Sequence, residues 1–534
     1  MELETKDTQK SREFSNKNRD GRGSNFEEAI SACGYGKFHY LLLLVIIPAS
    51  WASVLDSSNM SMILPSAECD LDLTLYHKGI LNGISYAGMV SSALLWGFMA
   101  DVFGRRPILL YGFLADGICN LLCGFSQNFA TIVIFKFISG FIVSGPYATI
   151  MTYCAEFYCT KDRPRITLAI GFTCFAGCIV NAAMAWLIIP RNWYFQFGDD
   201  SFIYNSWRIY LSSCGLPILI GALGLSFFPE SPKFLMSQGR NEEALSIFRS
   251  IYVMNKKKSA ETYSIKVLEN ELTDEIPVSV TETRAYPKSF KNVICQGLLQ
   301  MKPLFMGSNL MRLLLMVTIQ FGGMLCANTL RLWQPQLFAT LNHYQGNASG
   351  GALNLTFCEI LDTTNIKVIK IENIHETEPE CIVKHVDSTV YIFTLLVSTA
   401  ITICLLLATA LVNIVNNKNL LILCFVISTS SILLLNWASH YTVIILLTSF
   451  FVGLMSTTTT LVISVTVNLF PTSLRTMAVS LAMMVGRIGA LSGNVLFPIF
   501  LDYGCIVTVI SLAVILIVSL VLTIFIPKSK NNVK

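Results

Sequence analysis

Apolar runs of about 20 to 25 residues recur about twelve times along this chain, each long enough to cross a bilayer as a helix. Backbone placed in hydrocarbon must satisfy its own hydrogen bonds, so only helices or a closed barrel can span. The runs are continuous rather than alternating, which selects helices. Composition agrees, with 53% of the 534 residues hydrophobic, 13% charged and a mean hydropathy of +0.57, more apolar than water-soluble domains. The fold class read from this is an all-α membrane protein of twelve transmembrane helices.

Spans are expected near residues 40–64, 79–100, 107–125, 129–152, 166–189, 208–228, 308–338, 388–412, 419–437, 441–468, 476–500 and 504–526. A polar interval, 229–307, separates six from six. The expected organisation is a tail (1–37), a six-helix bundle (38–228), a linker (229–307), a second bundle (308–526) with an outer loop at 339–387, and a second tail (527–534). The net charge of +4 is small, and basic residues lie in short loops rather than on one face, so no nucleic-acid partner is indicated. The 16 cysteines are too dilute for a disulfide scaffold, and those inside apolar runs, such as Cys119/Cys123 and Cys174/Cys178, read as packing residues rather than metal ligands. No cofactor or metal is implied, and the lipid bilayer is the expected surrounding.

The tail of residues 1–37 mixes acidic and basic groups, unlike a cleaved leader, so the first span is expected to remain in the mature protein. Lys and Arg gather on the cytoplasmic side of membrane proteins. With both termini inside, the inner segments hold Arg105, Arg106, Lys161, Arg163, Arg165 and the run Lys256 to Lys258, while the outer loops hold only Lys78, Arg191, Lys367, Lys370 and Lys384. Both termini are therefore expected in the cytoplasm, in either the plasma membrane or an intracellular vesicle membrane. The loop 339–387 carries two glycosylation sequons, at Asn347 and Asn354. It also carries Cys358 and Cys381, a candidate disulfide pair in an oxidising compartment.

An internal repeat appears at an offset of 312 residues. Gly97 to Arg106 lies over Thr409 to Lys418, and Ala155 to Arg163 lies over Val467 to Arg475. Asp101 then meets Asn413, Arg106 meets Lys418, Glu156 meets Asn468, and Arg163 meets Arg475. Two halves related by an axis along the membrane normal are the architecture of alternating access.

The stretch Gly97-Phe98-Met99-Ala100-Asp101-Val102-Phe103-Gly104-Arg105-Arg106 resembles the loop motif of the major facilitator superfamily. Pro229-Glu230-Ser231-Pro232-Lys233-Phe234-Leu235 and Gly239-Arg240-Asn241-Glu242-Glu243-Ala244-Leu245 resemble patterns shared by sugar porters, organic-ion transporters and their synaptic-vesicle relatives, with Lys233 in place of Arg. Phe26 to Ile30 with Gly34 to Phe38, Leu64 to Asp70, and Gly486 to Asn494 narrow the resemblance to the synaptic vesicle glycoprotein 2 family, over residues 25 to 526. The resemblance implies two pseudo-symmetric six-helix bundles. It further implies a conformational latch at Gly97, Asp101, Gly104, Arg105, Arg106, Glu156, Arg163 and Arg475, in which Gly97 allows close helix contact and Glu156 and Arg163 form gating salt bridges. The chain departs from that family in keeping one acid, Asp56, in the first helix, with Ser53 at the other position, and in having a shorter outer loop.

Ionisable groups inside a bilayer cost about 2.5 to 3.5 kcal/mol at a helix centre and are candidates for function. Four stand out: Asp56, Asp116, Lys136 and Arg487. Asp56 reads either as a substrate or proton contact or as a structural ion pair with Lys136 or Arg487. Lys136 stands where many members of the families that the chain resembles carry an Arg linked to proton coupling, and reads otherwise as structural pairing or snorkelling; Arg487 has the planar fork that binds a carboxylate. Asn494 adds a polar candidate, while Asp116 reads as a partnered structural group. The Thr457 to Thr460 run offers either cavity hydroxyls or back-bonding to the previous turn. Nothing resembles a catalytic nucleophile or phosphate loop, so no enzyme is expected. The expected function is transport of a small polar organic solute, an organic ion or a sugar-like molecule, with protons as a second partner. A trafficking or binding protein that keeps the fold without turnover is the alternative.

Overall fold

The computed structural model describes residues 23–197, 202–269, 302–347, 355–363, 386–412 and 414–527. A short helix α1 (Phe26–Cys33) is followed by α2 (Lys37–Ser50) and α3 (Ala52–Ala67), which together make the first span. Pro48 sits inside α2, where it removes a helical hydrogen bond, and the chain breaks at Trp51, whose indole donates to the Thr173 carbonyl (3.0 Å). Five more spans complete the N-terminal half: α4 (Leu75–Phe103), α5 (Arg105–Cys123), α6 (Phe129–Ala155), α7 (Arg163–Ile188) and α8 (Ser206–Leu225). Between α7 and α8, strands β1 (Tyr194–Phe197) and β2 (Phe202–Asn205) pair antiparallel.

The linker begins with α9 (Pro232–Ser237) and α10 (Asn241–Lys256). The C-terminal half then holds α11 (Gly307–Asn347), α12 (Ser388–Leu411), α13 (Asn417–Leu435), α14 (Tyr441–Leu469), α15 (Thr472–Asp502) and α16 (Cys505–Ile524). Among the described residues, eleven spans are long and apolar enough to cross a membrane by length and composition. The remaining long helix, α4, turns Asn82, Ser85 and Tyr86 into protein, so its polar content is met by neighbouring helices rather than lipid. Helix α11 is longer than its expected span. Residues 339–345 contain no Gly or Pro, and the helix runs to Asn347, at 1.5 Å per residue well beyond a ~30 Å hydrocarbon core.

One expected crosslink is different. Cys358 bonds to Cys505, with Cα atoms 5.1 Å apart, not to Cys381, which lies outside the described residues. Residues 357–363 form a short helical segment seated on the start of α16: the Phe357 amide donates to the Ala438 carbonyl (2.8 Å) and the Cys505 amide donates to Asp362 Oδ1 (2.8 Å). Nearness in one loop was the wrong guide, because packing against α16 decides which thiol Cys358 meets. Cys69 is also disulfide-bonded. Asn347 ends α11, and Asn354 lies outside the described residues.

The FEEAI segment has a packing role. Asn25 caps α1 by accepting from the Glu28 amide (2.9 Å), Phe26 packs at a tilt against Phe248 of α10 (5.9 Å between rings), and Asn255 Nδ2 donates to the Gly34 carbonyl (2.7 Å). The start of the chain and the linker thus brace each other at one end of the N-terminal half, called here the linker end.

Candidate functional site

Two polar assemblies occupy the middle of the bundle. The first lies within the N-terminal half. On α5, Asp116 and Asn120 stand one turn apart, and on α6 so do Lys136 and Ser139, which puts each pair on one helix face. Asp56 of α3 meets both: its Oδ1 accepts from Lys136 Nζ (3.1 Å) and from Asn120 Nδ2 (2.7 Å). Lys136 Nζ also donates to Asn120 Oδ1 (3.1 Å), and Ser139 Oγ to Asp116 Oδ1 (3.0 Å). All five side chains are buried, yet the second carboxylate oxygens of Asp56 and Asp116 have no hydrogen-bond partner among the described residues. A Cβ on Gly112 of α5 would lie 2.2 Å from Pro146 Cγ of α6, so these two helices pack closely, and α4 packs as closely on α6. A Cβ on Gly140 would lie 2.1 Å from the Ser85 carbonyl oxygen, and one on Gly88 2.2 Å from that of Phe137.

Asp56 and Lys136 therefore form the ion pair that was one of two readings, while Arg487 is not part of it. Asp116, read from sequence as a partnered structural group, belongs to the cluster.

The second assembly crosses between the halves. Arg331 of α11 donates through Nη2 to Asn328 Oδ1 (2.8 Å) and to the Tyr86 hydroxyl of α4 (3.2 Å), and its Nη1 approaches Cys178 Sγ of α7 (3.7 Å). Tyr86 in turn donates to Asn328 Oδ1 (2.9 Å). Arg487 of α15 donates to Ser144 Oγ of α6 (2.9 Å) and lies within electrostatic reach of Tyr86 and Tyr147. Arg331 and Arg487 are both half-buried. Sequence reasoning passed over Arg331, although a lone arginine inside a spanning run is the same signal that picked out Arg487.

The glycines of the Gly486 to Asn494 stretch explain how Arg487 is placed. Cβ atoms on Gly489 and Gly493 would meet backbone oxygens of Phe321 (2.4 Å) and Leu325 (2.9 Å) of α11, so α15 and α11 touch along this stripe. Asn494, two turns along, donates to its own helix at Ala490 (2.8 Å), with its Oδ1 unpartnered among the described residues. It stands against α4 at Gly79 rather than beside Arg487. The threonines turn inward on their own helix, as with Thr457 Oγ1 donating to the Gly453 carbonyl (3.0 Å).

The loop motifs meet at the linker end. Gly104 has φ +96°, a left-handed conformation that suits glycine, and opens α5. The freed Arg105 and Arg106 amides donate to the Glu230 carboxylate (3.2 and 3.1 Å), an acid at a helix N-terminus. Arg106 also caps the end of α8 at the Ser226 carbonyl (2.8 Å). In the repeat, Lys418 caps the end of α16 at Ile526 (2.6 Å). Arg105 contacts Glu156 (3.5 Å), whose carboxyl is pushed upward by burial against the pull of Ser231, Arg105 and Lys233. Arg163 pairs with Glu27 of α1 (2.5 Å), so Glu156 and Arg163 take separate partners. The Nε of Arg475 has no hydrogen-bond partner among the described residues, and the Asp101 side chain lies outside them. A Cβ on Gly97 would meet nothing within 4 Å, so the close contact expected there is not made in this conformation.

The opposite end is tied across the halves. Ser66 meets Tyr391 (3.0 Å), Gln336 donates to Glu68 (3.2 Å), and Tyr76 donates to Asp502. The Leu64 to Asp70 stretch supplies two of these contacts, and its Asp70 holds Arg208 (3.2 Å) and Trp207 (2.7 Å) of α8.

Comparison with known proteins matches residues 47–358 to the family model for sugar (and other) transporters and residues 377–534 to that of the major facilitator superfamily. Synaptic vesicle glycoprotein 2B from Rattus norvegicus is 32% identical over 231 residues, 43% of this chain and 34% of that protein. The Homo sapiens protein of the same name is 26% identical over 363 residues, 66% of this chain and 52% of its own length. The chain thus spans between a third and about half of these relatives. Among solved structures, a partially occluded inward-open form of the xylose transporter XylE from E. coli superposes with a TM-score of 0.63 at 16% identity, covering 92% of this chain and all of that one. A D-xylose-proton symporter gives 0.62 at 15%, covering 93% and 99%. At such identities the likeness is one of fold.

Proposed function

Since the chain belongs to the sugar (and other) transporter family, within the major facilitator fold, we propose that it carries a small polar organic solute across a membrane by alternating access, with proton movement at the Asp56 cluster. The observation that carries this reading is the site between the halves: Arg331 and Arg487 from one half reach Tyr86, Cys178 and Ser144 of the other. A solute held there touches both halves, and rocking one half against the other changes the side from which it is reached. The ties among Ser66, Glu68, Tyr76, Gln336, Tyr391 and Asp502 close one end, while the uncontacted Gly97 supports an opening at the linker end. With both termini in the cytoplasm, as the charge distribution favours, this is an inward-facing arrangement. Re-forming a contact at Gly97 while the far-end ties break is the latch action proposed for the loop motif.

For the proton, the charge count is the support. Asp56 and Asp116 face a single cation, Lys136, and share one amide donor, Asn120. Two close carboxylates with one cation are balanced by one proton. The neighbours named for xylose make sugars part of any substrate panel. The test is uptake into proteoliposomes of xylose, glutarate, benzoate and choline, with and without an inward proton gradient, for the wild type and Asp56→Asn. The expected result is gradient-stimulated uptake of one class, with stimulation lost in Asp56→Asn. No uptake of any class by folded protein argues for the non-transporting alternative.

A further inference from the structure

We infer that the site between the halves recognises an organic anion, a carboxylate or a similar oxyanion, with Arg331 and Arg487 as its cationic groups. This rests on the transport reading above and names its substrate class. Each guanidinium donates only to neutral acceptors: Asn328, Tyr86 and Cys178 for Arg331, and Ser144 for Arg487. Among the described residues neither has a carboxylate within 4.0 Å. The two acids of the bundle interior, Asp56 and Asp116, are engaged elsewhere, by Lys136, Asn120 and Ser139. Among the described residues the two arginines of the inter-half site are thus left without an acidic partner.

An unbalanced charge inside a bilayer-spanning bundle is costly. A membrane protein that retains two such arginines gains from a counter-charge supplied by its ligand. The donor arithmetic points the same way, because a guanidinium has five N–H groups in a planar fork matched to an oxyanion, and Arg487 commits one nitrogen to a protein acceptor in the described structure. A neutral sugar would leave the charge unanswered, and a cation would add to it. Location gives the ligand a mechanical role as well. Arg331 and Arg487 sit on the two helices that the glycine stripe locks together, while Tyr86 and Ser144 belong to the other half. An anion paired with an arginine of one half and hydrogen-bonded by Tyr86 or Ser144 of the other would favour the halves closing around it.

The experiment uses the full-length protein in proteoliposomes with radiolabelled glutarate, benzoate, xylose and choline, together with melting-temperature shifts in detergent for the same four probes. Variants are Arg331→Gln and Arg487→Gln, with Arg331→Lys and Arg487→Lys keeping charge without the fork. Gel filtration establishes that each is folded, and the Lys variants serve where a Gln variant does not fold. The expected result is uptake of glutarate or benzoate, lowered at least about tenfold by either Gln substitution, the value of about 1.4 kcal/mol of binding, with a smaller loss in the Lys variants. Uptake of xylose or choline but neither carboxylate overturns the anion inference and leaves transport standing. Carboxylate uptake indifferent to both arginines overturns it too. If no probe is transported, the transport reading fails, yet a carboxylate-induced melting shift that vanishes in Arg487→Gln upholds the anion site; absence of that shift removes both.

Discussion

Asp56, Asp116, Asn120, Lys136 and Ser139 pair with one another inside the N-terminal half, whereas Arg331 and Arg487 reach across the interface and meet only neutral partners. The first assembly is fully buried and sets two acids against a cation among helices of one half, whereas the arginines of the second are only half-buried. In the second, the charge is left for something that comes and goes. The difference is between groups that stabilise the half-bundle and groups whose partner is a ligand. Removing a member of a paired cluster strands its partner. Removing an arginine that has no ionic partner strands nothing.

The largest expected effect follows directly. Lys136→Met leaves Asp56 buried without its cation and is expected to cost about 3 to 5 kcal/mol, read as a large fall in melting temperature. Adding Asp56→Asn to it restores most of the loss. A Lys136→Met protein as stable as the wild type would break the distinction drawn here. Next is Gly489→Val, whose Cβ meets the Phe321 carbonyl oxygen at 2.4 Å. Overpacking of this kind costs about 1 to 3 kcal/mol, and by moving α15 off α11 it is expected to impair solute binding while the Asp56–Lys136 pair persists. Distance measurements between spin labels on the two helices would detect the displacement.

Arg487→Gln is expected to cost less than about 1 kcal/mol in thermal or denaturant unfolding, since one neutral-acceptor hydrogen bond is lost, while solute binding collapses. A stability loss as large as that of Lys136→Met would mean that Arg487 is a structural pair after all. The smallest effect belongs to the surface pair Glu27–Arg163. Burial opposes ionisation of Glu27, but hydrogen bonds from Thr160 and the charge of Arg163 hold its carboxyl below the ordinary 4.5. A lowered folded value means that the contribution is present above the ordinary value and lost as pH falls through the folded one. Hydrogen exchange at the α1 amides is expected to quicken on acidification through that window in the wild type, and Glu27→Gln to abolish the dependence.

Much of this was legible in the sequence for reasons that can be named. Span number and class follow from bilayer thickness and backbone hydrogen bonding. The repeat at 312 residues has a counterpart in the structure, where Arg106 and Lys418 cap the ends of α8 and α16 alike. Asp56 and Lys136 were recognisable because charge in an apolar run stands out, and Arg331 met the same criterion. Asp116 reads from sequence as a partnered group, and the structure supplies the partners, Asn120 and Ser139, the first of them one turn along the same helix. The Cys358 bond to Cys505 had no signal in spacing, since 147 residues separate the two.

The sequence by itself determined a helical membrane protein in two related halves, because hydrophobic length, charge asymmetry and turn residues act locally and need no partner. Tertiary structure decided which charges neutralise one another. Electrostatic pairing depends on a few ångströms between side chains of different helices, and close helix packing, as at Gly112 between α5 and α6 and at Gly489 and Gly493 between α15 and α11, sets those distances. Only that packing separates the self-contained Asp56 cluster from the two arginines left facing the space between the halves.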